Sequence, residues 1–227
     1  MTRGAIFDLD DTLYPYETFV DGGFRAVSEY VTTVTDARAS DIAALLRAVR
    51  HSAARGREFQ VLCGAHGLAL SVVPTLVDVF RSHVPAVELA TGAATMLQAL
   101  RAGGWRLAVL TNGPAAVQER KVRALGVEVL VDCVVYAENH AIGGKPAPQA
   151  FEATVARLGV SPARAVMVGN DLDADVRGAA RAGLHTIHLQ PSLQGLPRDA
   201  AGVTALCLSD VPSLAESLIP RGTTDVR

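Results

Sequence analysis

The sequence predicts an α/β protein, a doubly wound parallel sheet of Rossmann-like type that carries a small all-helical unit. Three observations predict it. From residue 93 onward, short apolar runs such as Ala165-Val166-Met167-Val168 alternate with helical stretches, and alternation of that kind implies a parallel sheet covered on both faces. Between about residues 16 and 87 helical periods succeed one another with no convincing strand. Polar clusters recur where the strands end, the edge at which such sheets collect ligands.

The elements follow in order. Residues 5–8 read as the first buried strand, too short and apolar for a helix, and Tyr14-Pro15 breaks it. Helical periods run over 19–31, 39–55, 59–66 and 71–84. Pro74 lies near the start of the last, where its missing amide proton costs little. This divides the chain into a core, 1–15 with 89–227, and a helical unit, 16–88. In the core, a helix over 93–101 is closed by Gly103-Gly104, and a strand over 106–110 ends in Thr111-Asn112-Gly113-Pro114. A helix over 115–125 stops at Gly126. A strand follows at 133–136, then a polar loop over 138–148 that contains Lys145, a helix over 149–158 and a strand over 165–168. Gly169-Asn170-Asp171 opens a helix to about 182, ahead of a strand at 185–189 and an apolar segment at 205–208. A helix over 211–218 completes the core, with a frayed tail at 221–227.

Composition narrows the function. A chain of 227 residues, 49% hydrophobic, suffices for one sizeable core and a smaller second unit. The formal charge of −2 comes from balanced acids and bases with no basic block, so nucleic acid is not an expected partner. Cys63, Cys133 and Cys207 have no pairing or metal-ligand spacing and read as small buried hydrophobes in a reducing compartment. No apolar run is long enough for a membrane. The start carries Asp8, Asp10 and Asp11 where a signal peptide would be apolar, so the expectation is a cytoplasmic protein, monomer or homodimer.

The chemistry gathers at Asp8-Leu9-Asp10-Asp11-Thr12. Side chains two apart on an extended segment share a face, so Asp8 and Asp10 project together. At roughly 5 Å and an effective dielectric near 20 they repel by about 3 kcal/mol. A bound cation, a proton on one carboxyl or a nearby lysine would offset that. The only lysines are Lys121 and Lys145. Singly, each cluster has an ordinary reading: turn residues at Asp10-Asp11-Thr12 and Thr111-Asn112-Gly113, a solvated loop lysine at Lys145, and dipole-favoured acids at Asp171, Asp173 and Asp175.

In order, however, Asp8-x-Asp10-x-Thr12-Leu13, Thr111-Asn112-Gly113, Lys145-Pro146 and Gly169-Asn170-Asp171-x-x-x-Asp175 resemble the haloacid dehalogenase-like superfamily. The resemblance spans the core, with the helical unit where that superfamily places its first-type cap. It implies a phosphatase acting on a small phosphorylated metabolite, with Asp8 as nucleophile forming an aspartyl-phosphate and Asp10 as general acid and base. It further implies that the Thr111 hydroxyl, the Asn112 amide and Lys145 bind the phosphate. Mg²⁺ would be held by Asp8, the Asp10 carbonyl and a carboxylate of the Asp171/Asp175 loop. Asn170 departs from the Gly-Asp that the superfamily often has, so either Asp171 becomes the ligand, with Asp175 beside it, or the ion is held less tightly. The alternatives left open are a sugar-phosphate mutase or a dehalogenase of the same superfamily, and a phospho-accepting signalling module without turnover. Asp10 argues against the dehalogenase, and the helical unit argues against the signalling module. The stretch at Tyr14-Pro15 resembles pyrimidine nucleotidase-like members, and 111–126 resembles acylneuraminate phosphatase-like members. Arg47, Arg50, His51, Arg55 and Arg57 form a basic stretch, either a solvated face or a reader of a second anionic group on the substrate.

Overall fold

A strand buried on both faces is mostly apolar, and β1 (Arg3–Phe7), whose one charged residue, Arg3, pairs with Glu216 at 2.6 Å, is buried along its whole length between two parallel neighbours. In a computed structural model of the protein, which describes residues 2–140, 144–190 and 203–221, β1 is joined by β2 (Trp105–Thr111), β3 (Cys133–Tyr136), β4 (Ala165–Gly169), β5 (His185–Leu189) and β6 (Val203–Ala205). They form a six-stranded parallel sheet in the order β3-β2-β1-β4-β5-β6. The chain moves outward from β1 to β3, then returns to β1's other side with β4, so the order reverses between β1 and β4. The carboxyl ends of those two strands therefore flank the switch point at which doubly wound sheets bind ligands.

The chain divides into two units, Met1–Pro15 with Glu88–Arg227, and Tyr16–Val87. The second consists of α1 (Tyr16–Thr32), α2 (Ala39–Arg50), α3 (Glu58–Ala65) and α4 (Val73–Ser82). Val20, Phe24, Val27 and Val31 form an apolar stripe along α1 that packs on Ile42, Leu46, Leu62, Cys63 and Leu76. Here the basic stretch is partly neutralised from α1: Arg47 pairs with Asp21 at 2.7 Å and Arg50 with Glu17 at 2.7 Å, whereas Arg55 and Arg57 are exposed.

The first unit adds α5 (Ala93–Ala102), α6 (Ala115–Leu125), α7 (Pro148–Leu158), α8 (Gly178–Arg181) and α9 (Val211–Leu218). One face of the sheet, with Ile6, Leu110, Val135 and Met167, packs on Phe151, Val155 and Leu158 of α7 and on Ala179 of α8. No helix among the described residues is long and apolar enough to cross a membrane.

Three expectations are corrected. The helix expected over 39–55 ends at Arg50, because the Ser52 hydroxyl bonds the Val49 carbonyl at 2.8 Å and accepts from the Ala54 amide at 3.0 Å, offering the backbone a turn in place of helix. The helix expected from Asp171 to 182 starts instead as a wide π-helical turn, Leu172–Arg177, before α8. Of the cysteines read as buried, Cys63 is, but Cys133 is half-buried and Cys207 exposed. The expected frayed tail lies, from residue 222 onward, outside the described residues.

Candidate active site

The site is built at the switch point. The Asp8 amide continues β1's ladder by donating to the Val168 carbonyl at 2.9 Å, so Asp8 is the first residue to leave the sheet and its side chain stands at the strand's end. Asp11 then takes a left-handed conformation, φ 56°, which Asp tolerates better than most residues and which turns the chain away after Asp10. A cavity of about 210 Å³ opens here, and all eight residues singled out in the sequence line it: Asp8, Asp10, Thr111, Asn112, Lys145, Asn170, Asp171 and Asp175. They come from the ends of β1, β2 and β4 and from the loop before α7.

Lys145 is the hub. It is 4% exposed, and its Nζ lies 2.6 Å from Asp8 Oδ1 and 2.7 Å from Asp175 Oδ1. Asp175 Oδ2 accepts from the Asp171 amide at 3.1 Å. Burial opposes the Lys145 ammonium, but the Asp8 and Asp175 carboxylates outweigh it and hold its pKa above the ordinary lysine value. One ammonium cannot fully offset two carboxylates. Asp8 is pushed up to about 7, by burial first and by the Asp175 charge, with Lys145 opposing. Gly169 makes the arrangement possible, since a Cβ there would run into the Asp175 carboxyl. Asp175 lies within the π-helical turn and is buried.

Asn112 has a role beyond its predicted amide. Its side chain donates to the Lys145 carbonyl at 2.9 Å and accepts from the Lys145 amide at 2.8 Å, clipping the lysine's backbone to the end of β2. Gly144, at φ 71°, lies so close to this clip that a Cβ would meet Asn112 Oδ1. Asn170 accepts from the Thr12 hydroxyl at 3.3 Å through its side chain, and its carbonyl lies 3.0 Å from His188 Nε2. Asp171 caps the following turn, its Oδ1 accepting from the Asp173 and Ala174 amides at 2.9 and 2.8 Å.

Asp10 is held by residues that the sequence reading gave no role. Lys121 Nζ lies 2.9 Å from each of its oxygens, Gln118 Nε2 3.1 Å from Oδ2, and the Tyr14 hydroxyl donates to Oδ1. Burial lowers the Lys121 pKa, with Asp10 opposing. Gln118 Nε2 also donates to Thr111 Oγ1 at 2.7 Å and contacts the Asn112 carbonyl.

Among the described residues, five carboxylates, those of Asp8, Asp10, Asp11, Asp171 and Asp175, line the cavity with a single ammonium, Lys145. An anionic ester entering such a site needs a compensating cation, and the donors present are hard oxygens of the kind Mg²⁺ prefers. Among the described residues no three His, Cys, Asp or Glu side chains form a ready-made metal cage.

Comparison with known proteins gives the family. The sequence model of the haloacid dehalogenase-like hydrolases matches residues 2–183. A glyceraldehyde 3-phosphate phosphatase of Methanopyrus kandleri is 31% identical over 199 residues, 84% of each chain. A ribulose-1,5-bisphosphate 5-phosphatase of Halopiger xanaduensis is 31% identical over 211 residues, 85% of this chain and 86% of its own. The magnesium-bound crystal structure of the HAD-hydrolase YfnB from Bacillus subtilis shares the fold at a TM-score of 0.70 and 18% identity, over 94% of this chain and 98% of that one. The chain belongs to the haloacid dehalogenase-like hydrolases, as a phosphatase of that superfamily.

Proposed function

We propose that the protein hydrolyses phosphate monoesters of small sugars, in the triose to pentose range, through a phosphorylated Asp8. The observation that carries this reading is the Lys145 bridge between Asp8 and Asp175 in a cavity shared with Asp10 and Thr111. The range of substrates rests on relatives that act on glyceraldehyde 3-phosphate and ribulose-1,5-bisphosphate.

The ionised Asp8 carboxylate attacks phosphorus in line. The bond from phosphorus to the ester oxygen breaks, its electron pair leaves with that oxygen, and Asp10 supplies the proton that makes it an alcohol. Water then attacks the same phosphorus and gives a proton back to Asp10, and the bond to Asp8 breaks to restore the carboxylate. Throughout, the Lys145 ammonium, the Thr111 hydroxyl and the Asn112 amide meet the charge on the equatorial oxygens. Mg²⁺, when bound by Asp8, the Asp10 carbonyl and an oxygen donor of the 170–175 loop, supplies neutralising charge for the phosphate. The helical unit stands in the chain where the superfamily carries its first-type cap, and we assign it the role of selecting the leaving alcohol. Return of the phosphoryl group to a second sugar hydroxyl, as in a mutase, would use the same residues; the phosphatase relatives favour water as acceptor.

The test is phosphate release from a panel of triose and pentose phosphates, hexose phosphates, phosphoglycolate and nucleoside monophosphates, each with Mg²⁺ and with EDTA. The expected result is Mg²⁺-dependent release with kcat/KM highest for the triose and pentose esters. Undiminished release in EDTA would refute the metal requirement, and a preference for nucleotides would refute the substrate class.

A further inference from the structure

We propose that Gln118 and Lys121, a helical turn apart on α6, are positioning residues for phosphoryl transfer: one sets the Thr111 hydroxyl and the other the Asp10 carboxyl. The inference rests on the reaction described above and assigns these two residues a part in it. Both are buried, 2% and 3% exposed, on a helix face otherwise made of Val117, Val122 and Leu125. An amide and an ammonium among apolar side chains are unfavourable unless paired. Here the partners of the Lys121 ammonium and of the Gln118 amide nitrogen are the site's own groups, while Gln118 Oε1 has none among the described residues. Neither residue lines the cavity, so both act through residues that do.

The Gln118 amide nitrogen can only donate. At 2.7 Å from Thr111 Oγ1 it obliges that oxygen to accept, which leaves the hydroxyl proton for another acceptor. The Asn112 carbonyl offers only a long contact at 3.5 Å, so the proton is available to a phosphate oxygen in the cavity. Lys121 grips both oxygens of Asp10 at 2.9 Å while Asp10 keeps 28% of its side chain exposed, so the carboxyl is oriented from one side and accessible from the other. Gln118 also reaches Asp10 Oδ2, at 3.1 Å. One helical turn therefore fixes the phosphate-binding hydroxyl relative to the proton-transferring carboxyl.

The discriminating experiment compares an alkyl ester, glyceraldehyde 3-phosphate, with p-nitrophenyl phosphate, whose leaving group departs without a proton. Lys121→Met is expected to lower kcat/KM for the alkyl ester by about 100-fold while p-nitrophenyl phosphate stays within a few-fold. Lys121→Arg, which keeps a two-pronged cation, should recover part of that loss. Gln118→Met should raise the inhibition constant of orthovanadate, an anion held by the Thr111 hydroxyl, by about tenfold. Thermal melts identify any variant that fails to fold; if Lys121→Met does, the Arg and Gln118 variants decide. Equal losses on both esters, no loss on either, or unchanged vanadate inhibition would overturn the proposal. Wild-type protein without phosphatase activity, or activity surviving in Asp8→Asn, would instead refute the underlying reaction.

Discussion

Asp8→Asn is expected to remove turnover, by at least about 10⁴-fold, because the amide cannot form the covalent bond to phosphorus on which both half-reactions depend. The same substitution should leave the protein as stable as the parent or more so. Asp8 and Asp175 share one ammonium, and the Asp8 carboxyl is already pushed up to about 7, by burial first and then by the second negative charge. In the presence of chelator at about pH 8, the parent carries that charge at a cost to folding, and the isosteric amide removes it. Phosphate release and thermal melts of the chelated proteins measure both halves. A variant that is inactive but clearly less stable would show that Asp8 contributes to the fold, contrary to its placement as a reactive group held under repulsion.

Lys145→Met should be damaging in both respects. The side chain fits the volume, but Asp8 and Asp175 are left facing each other without a countercharge, and removing one partner from a buried ionic group costs about 3–5 kcal/mol. Turnover should fall by about 10³-fold, since a fixed positive charge on the phosphate and the nucleophile is lost together. Urea unfolding and steady-state kinetics read these effects. Their origin can be checked with Asp8→Asn/Lys145→Met: once the first carboxylate is gone, losing the ammonium should cost less, so the double variant should be more stable than Lys145→Met alone. Additive losses would place the lysine's contribution outside the pair.

Much of this architecture was legible in the amino-acid sequence, for physical reasons that differ between elements. α6, β3, β5 and α9 have the bounds that pattern alone indicates, because each is an apolar or amphipathic run closed by Gly, Pro or a polar turn. The end of α2 was not legible, since it depends on which backbone groups the Ser52 hydroxyl captures. Nor was the π-helical turn after β4, which accompanies Asp175 reaching a lysine 30 positions earlier. Eight of the residues that line the cavity could be read because their clusters follow strands or precede helices on one edge, and parallel strands bring their carboxyl ends to that edge. Gln118 and Lys121 could not be read that way. Their partner, Asp10, lies 108 and 111 residues away, and nothing in a helical period says where a core-facing polar side chain finds its countercharge. A signal was nonetheless present: a chain with two lysines places one of them among the buried positions of an amphipathic helix, where a solvated lysine does not belong. The second function of Asn112, clipping the Lys145 backbone, was equally out of reach, because it depends on the loop before α7 folding back onto β2.

The most direct measurement is to identify the residue that carries phosphate during turnover. The enzyme would be mixed with Mg²⁺ and an activated ester, quenched in acid within the first turnover, treated with borohydride to convert an acyl phosphate to a stable alcohol, and digested for mass spectrometry. The reduced residue is expected at position 8 in the peptide that contains Asp10, and none is expected when Asp8 is replaced by Asn. Label on another residue, or an enzyme that turns over fully with no covalent phosphate detected, would contradict a phosphorylated Asp8.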